Sequence, residues 1–334
     1  MAVAGLGQDG YVRIQKEVTW GTALTNSMTF LPILPGAEFT MEVSDIENKN
    51  IIASRLKQLP NQGRRNVKFK MSMNLHFTLV GAVMNLLLGA SSDSNRTDST
   101  YVHTFLTPIT GQRVGKAFTM QVAFGGDTAV QFAGCVFNSI KISGDNQGQI
   151  ILEMEGAAKL YTTGVARETS FSYPTAVPAN FSMVNLNIDP ADASAFDQVI
   201  YSFEFGIELG LDLEDFALGS AYMQNPVFNT IPSVMLKANV AADKQFREAA
   251  QAHTLYDHIL TITSTQYAAG TTFSKVEVEI PKAKLSPSTS IPFDNDRLKM
   301  DVEFDCSFGG STTGSGSTSV HAEVRVTDAV AAYA

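Results

Sequence analysis

Charge is scarce in this chain of 334 residues, where Asp, Glu, Lys and Arg make up 17% against roughly a quarter in an ordinary soluble protein. Such a deficit implies that much of the surface meets protein rather than water, which favours an oligomer. Positive charge is the scarcer sign. With 24 Lys and Arg against 33 Asp and Glu the net charge is −9, which argues against a binder that grips phosphate backbones over its surface. Cysteine is limited to Cys135 and Cys306, whose wide separation excludes the paired spacing of zinc and redox motifs and leaves two buried free thiols as the expectation. Long apolar runs are missing too: the longest, Leu79 to Ala90, is about half a membrane span. The opening MAVAGLGQDGYVR has neither the early positive charges nor the continuous apolar core of a secretory signal. These absences lead to the expectation of a soluble protein, made in a reducing cytoplasm, with no membrane partner.

What is present is a large apolar fraction, 44%, enough to exclude disorder and to build a sizeable core. Its dominant period is two. Phe203, Phe205, Ile207, Leu209, Leu211 and Leu213 alternate with polar or small residues, which predicts one long strand with a single dry face. Val276, Val278 and Ile280 alternate with Glu277 and Glu279, and Met300, Val302, Phe304 and Cys306 with Asp301, Glu303 and Asp305, predicting further antiparallel strands. Helical spacing is confined to TLVGAVMNLLLGA (78–90) and to KQFREAAQAHTLYDHIL (244–260), which follows Asp243 as an N-cap.

This order of elements occurs twice. EFTMEVSDIE (38–47) corresponds to FEFGIELGLDLED (203–215), and a loop of about twenty residues follows each. VKFKMSMNLHF (67–77) then leads into the first helix as VMLKANVAA (234–242) leads into the second. Each half closes on a pair of strands, 137–158 and 278–306, whose first member ends at Ser143 or Ser286 before a Gly, Pro and Asn rich turn. The expectation is a first β domain over residues 1–165, a linker over 166–200 and a second β domain over 201–334. Residues 90–100 are expected to form an exposed loop, and the Gly, Ser and Thr rich stretch 309–319 the tip of a hairpin between 301–308 and 320–327.

Catalytic and ligand motifs are wanting. GLGQDG (5–10) matches a dinucleotide-loop spacing, but no strand pattern precedes it, so it reads as an N-terminal arm. GQRVGKA (111–117) is too short for a phosphate loop and has Ala117 where a metal-binding hydroxyl belongs; it reads as a turn before a strand. His253 and His258 are five apart and diverge on a helix, while His76, His103 and His321 are isolated in strand contexts. No catalytic, metal or cofactor site is expected, and no cofactor.

Two charge patterns remain. Glu153 and Glu155 stand in the first half where Asp301 and Glu303 stand in the second, and Glu38 and Glu42 match Glu204 and Glu208, so both halves carry an acidic sheet face. The loop at 44–66 carries Arg55, Lys57, Arg64 and Arg65, whereas its counterpart carries Asp212, Glu214 and Asp215. If such loops project from an assembly, opposite charges meet across its boundaries and set register more than affinity.

Lys16, Glu17, Trp20, Gly21 and Thr22 in QKEVTWGTALT, a strand leading into Leu79, Leu86, Leu87 and Gly89, and an acidic closing hairpin together resemble the tail tube protein of long-tailed, siphovirus-like bacteriophages, over nearly the whole chain. The resemblance implies a mainly β fold: two tandem β-sandwich or part-barrel domains, each with a flanking helix, whose inner sheets close a multi-subunit barrel. It implies rings, trimeric and pseudo-sixfold for a duplicated chain, stacked into a tube in the virion tail and assembled in the bacterial host cytoplasm. The partners so implied are other copies of the chain, a tape measure and a tail terminator protein, and double-stranded DNA that passes through without specific binding. Glu153, Glu155, Glu204, Glu208, Asp301 and Glu303 become candidates for lining the channel, since carboxylates repel phosphates where lysines would hold them. Two alternatives stay open: a receptor- or carbohydrate-binding β-sandwich module, and the tube of a phage-like bacterial secretion system.

Overall fold

The computed structural model describes residues 10–25, 27–46, 61–89, 92–95, 99–107, 116–126, 128–188, 199–241, 255–286, 299–312, 319–331 and 333. Period-two alternation yields antiparallel strands. The first half supplies β1 (Tyr11–Lys16), β2 (Thr29–Leu31), β3 (Glu38–Ile46), β4 (Asn61–Asn74) and the helix α1 (Phe77–Leu88). After them come β5 (Ser92–Asn95), β6 (Tyr101–Leu106), β7 (Phe118–Ala123), β8 (Thr128–Asp145), β9 (Ile151–Ala158) and β10 (Leu160–Ala166). The second half supplies β11 (Val184–Ile188), β12 (Ile200–Glu208), β13 (Ser233–Ala241), β14 (Leu255–Ala269), β15 (Thr272–Leu285), β16 (Lys299–Asp305) and β17 (Glu323–Asp328).

One open sheet runs in the order β3–β4–β9–β8–β12–β13–β16–β15 and passes from the first half to the second at β8–β12. Behind it lies a second layer. In the first half this is β2–β1–β7–β8–β10, and in the second β11–β14–β15–β17, which β6 and β5 of the first half extend. The two halves thus repeat one pairing pattern, β3–β4–β9–β8–β7–β1 against β12–β13–β16–β15–β14–β11, with β10 on β8 and β17 on β15. The long strands β8 and β15 belong to both layers. In β8 the passage is made at Gly134, whose φ of +66° suits glycine, and beside Gly156 of β9, where a Cβ would lie 2.0 Å from the Val136 carbonyl oxygen. The core fills the space between the layers with Phe69, Phe118, Phe132, Phe137, Phe205 and Phe304, all buried. Helix α1 packs there too, against β6, β8, β15 and β17. Both cysteines are buried and free, and burial pushes the Cys306 thiol up, well out of the reactive range.

The structure departs from the sequence expectations in four places. The strand expected over 203–215 ends at Glu208, because Gly210 turns left-handed (φ +62°); Leu209 and Leu211 remain buried, held by Asn138, so their alternation reports burial without a ladder. The helix expected over 244–260 is contradicted in its last turns, since Leu255–Leu260 opens β14. There His258, Leu260 and Ile262 are buried at every second position and the β-branched run ILTIT favours a pleated strand. The rest of that helix, with Asp243 and His253, lies outside the described residues. The loop expected over 90–100 contains β5, paired with β6. Finally, β16 and β17 do not pair with one another as a hairpin; among the described residues only the bridge Gly310–Val320 joins their ends. Within the segment expected as a linker, Phe171 and Tyr173 pack on Tyr11 and Phe30, and β11 pairs with β14.

Candidate functional site

The open face of the eight-stranded sheet is the candidate site. Register places Glu38 opposite Lys70, Lys70 opposite Glu155 and Glu155 opposite Ser139, so alternate residues of β3, β4, β9 and β8 share it. Ser139 faces Glu208, and Ser143 faces Glu204, which faces Lys237, which faces Glu303. Asn239 faces Asp301. All six carboxylates singled out from the sequence, Glu153, Glu155, Glu204, Glu208, Asp301 and Glu303, therefore lie on one side of a single sheet. The opposite side of the same strands is buried except on β3.

The face is not purely acidic. Lys70 sits 2.6 Å from the Glu155 carboxylate, Lys237 3.5 Å from Glu303, and Lys141 bridges Glu153 at 3.2 Å and Glu204 at 3.6 Å. The hydrogen bond and charge of Glu155 raise the Lys70 pKa. Lys141 joins the halves, since Glu153 belongs to the first and Glu204 to the second. Carboxylates still outnumber lysines across the face, with Glu38, Glu42, Glu208 and Asp305 standing outside the lysine pairs described. Sequence reading missed these lysines as members of the face. The signal was present, because Lys141 and Lys237 have the parity of the polar residues around them.

The sheet has two ends. At one end β3 pairs only with β4 among the described residues, and its Met41 and Val43, on the side away from Glu42, are 37% and 39% exposed. At the other, β15 carries Lys284 opposite Asp305. Arg64 and Arg65 lie over the rings of Phe216 and Tyr222 within the same chain, and Lys68 pairs with Glu214 at 3.2 Å. Asp212 caps its own turn by accepting from the Glu214 backbone N–H. Asp215 accepts the Gln224 N–H at its carbonyl. Arg55 and Lys57 lie outside the described residues.

The two signatures singled out from the sequence have structural causes. Glu17 is buried and its carboxylate accepts hydrogen bonds from the Gly21 N–H, the Gly134 N–H and the Thr119 hydroxyl at 2.8–2.9 Å, clamping the segment after β1 onto β7 and β8. Gly21 takes φ +70°, and Trp20 lies against the Lys159 ammonium. In α1, Leu79, Leu86 and Leu87 are buried, and Gly89 closes the helix with φ +97° and its N–H on the Asn85 carbonyl. A protein-family model described as phage tail tube protein matches residues 7–327. The chain belongs to the phage tail tube family. No curated protein matches it. As a tail tube protein it is a structural subunit of the virion tail that assembles with copies of itself into a tube. Among the described histidines of this tail tube subunit, His103 and His321 are buried beside the carbonyls of Val330 and Pro232, and His76 precedes α1. Among the described residues no group of His, Cys, Asp and Glu is arranged to hold a metal ion.

Proposed function

We propose that three copies of the chain close into a pseudo-sixfold ring around a channel lined by the charged sheet face, and that stacked rings deliver the phage genome. The observation that carries this reading is the unbroken sheet of four strands from the first half and four from the second, with an exposed polar face and a buried apolar one. Three such sheets make a 24-stranded barrel; at about 4.8 Å per strand and about 40° tilt its backbone diameter is roughly 48 Å and its bore about 40 Å. B-form DNA passes through a bore of that width.

On this reading Glu153, Glu155, Glu204, Glu208, Asp301 and Glu303 look into the channel. Lys70, Lys141 and Lys237 there are engaged by neighbouring carboxylates, which leaves the wall an excess of negative charge toward passing phosphates. Such a wall lets DNA slide rather than bind. Arg55, Lys57, Arg64 and Arg65, with Asp212, Glu214 and Asp215, mark loops that set the register of one subunit or ring on the next. Further partners would be the tape measure and terminator proteins of the tail, with assembly in the bacterial host cytoplasm. Negative-stain microscopy of the purified protein tests the reading. Hollow rods or rings of the estimated size are expected, whereas discrete globular particles at high concentration would favour a binding module instead.

A further inference from the structure

The first half leaves wet a strip of side chains that the second half keeps dry. Glu38 and Glu204 are equivalent, since each lies opposite a lysine, Lys70 or Lys237, which in turn lies opposite Glu155 or Glu303. On the other side of these strands, Phe39, Met41 and Val43 of β3 then match Phe205 and Ile207 of β12 and Leu209 just beyond it. Phe205, Ile207 and Leu209 are 0%, 1% and 1% exposed, whereas Phe39 is only half-buried and Met41 and Val43 are 37% and 39% exposed. The two sets have the same apolar chemistry. What differs is the neighbour: β12 has β13 on one side and β8 on the other, where Ser202–Glu208 pair with β8 and the Leu209 N–H donates to the Asn138 carbonyl. β3 has β4 alone among the described residues. Val67 and Phe69 of β4, opposite Met41 and Phe39, are buried, so the exposure is confined to the edge strand. Phe124, in the turn after β7, is 49% exposed and packs edge-on against Phe39, which extends the strip.

The repeat also indicates what covers it. β12 is dried by the half that precedes it in the sheet, and β3 stands at the far end of the same sheet from β15 and β16, so its cover has to come from a different chain. We propose that Phe39, Met41 and Val43, with Phe124, seat the second half of another copy of the chain, an assignment that rests on the ring reading above and gives it a contact surface. Drying these side chains favours association, and an edge strand left apolar and unpaired is otherwise open to uncontrolled pairing. The same match sets the register. The Ser286 N–H donates to the Glu303 carbonyl, one step on from Leu285 opposite Phe304, so Ser286 matches Ser139, which lies opposite Glu155. Ser139 also lies opposite Glu208, the equivalent of Glu42. Glu42 of one copy therefore falls opposite Ser286 of the other.

Thiol labelling tests the seat, the native Cys135 and Cys306 being buried. Met41→Cys and Val43→Cys should react with iodoacetamide in the free chain and lose that reactivity in isolated rings, while Glu42→Cys, on the polar side, should react in both. Met41→Asp with Val43→Asp should leave the Tm of the free chain nearly unchanged and raise the concentration needed for rings by at least about tenfold. Oxidation of rings carrying Glu42→Cys with Ser286→Cys, opposed positions within disulfide reach, should give covalent dimers, and Glu38→Cys with Ser286→Cys, four residues out of register, should not. Equal labelling of Met41→Cys and Val43→Cys in rings and free chain, an aspartate variant that assembles at the wild-type concentration, or failure of the Glu42→Cys pair to cross-link would overturn the seat while wild-type rings keep the tube reading intact. Wild-type protein that forms no rings would remove both.

Discussion

Glu17 shows how one buried carboxylate explains a sequence signature. Three donors converge on it, so Glu17→Ala strands them in a dry site and should lower stability by about 2–4 kcal/mol in urea denaturation, with Glu17→Gln recovering part of the loss. His258 makes a second prediction at this scale. Burial lowers its pKa to about 3, whereas an unfolded histidine titrates near 6.5. As pH falls from about 6.5 toward 3 the unfolded chain takes up a proton that the folded chain refuses, and stability drops by up to about 1.4 kcal/mol per pH unit. Above that window the group has no effect. His258→Leu should flatten the decline between pH 6.5 and 5; a decline parallel to the wild type would contradict the assignment.

Among the elements, the glycines of the central sheet separate close approach from open space. Gly156→Ala drives a Cβ onto the Val136 carbonyl and should cost about 1–3 kcal/mol or more, read as a fall in Tm. Gly206→Ala meets its nearest atoms only at 3.8 Å and should leave Tm nearly unchanged. At the loops, reversing Arg64 and Arg65 to Glu removes their contacts with Phe216 and Tyr222 and should slow tube growth; tubes of unchanged rate and length would count against a register role. Much of this level was legible in the chain. The strands β3, β4, β8, β9, β12, β13, β15 and β16 and the shared face of the six carboxylates follow from alternation, and the helix α1 from the helical spacing of its apolar run. What alternation does not encode is pairing. It extends past Gly210, where the ladder stops, and it is silent on β6 joining the sheet of the second half. At 255–260 a helical spacing was outweighed by β-branched residues and by a neighbouring strand to pair with.

For the whole molecule, low charge, an open sheet and a repeated pairing pattern point the same way: a subunit finished only by its copies. The chain carries eight strands that share one polar face, and in the proposed ring the two ends of that sheet are the edges that meet between copies. The most direct measurement is a cryo-electron microscopy map of the assembled tube at side-chain resolution. It should show three chains per ring, a continuous 24-stranded barrel and Glu153, Glu204 and Glu303 with their lysine partners pointing into the bore. A ring of six chains, or that face turned to the outer wall, would contradict the account.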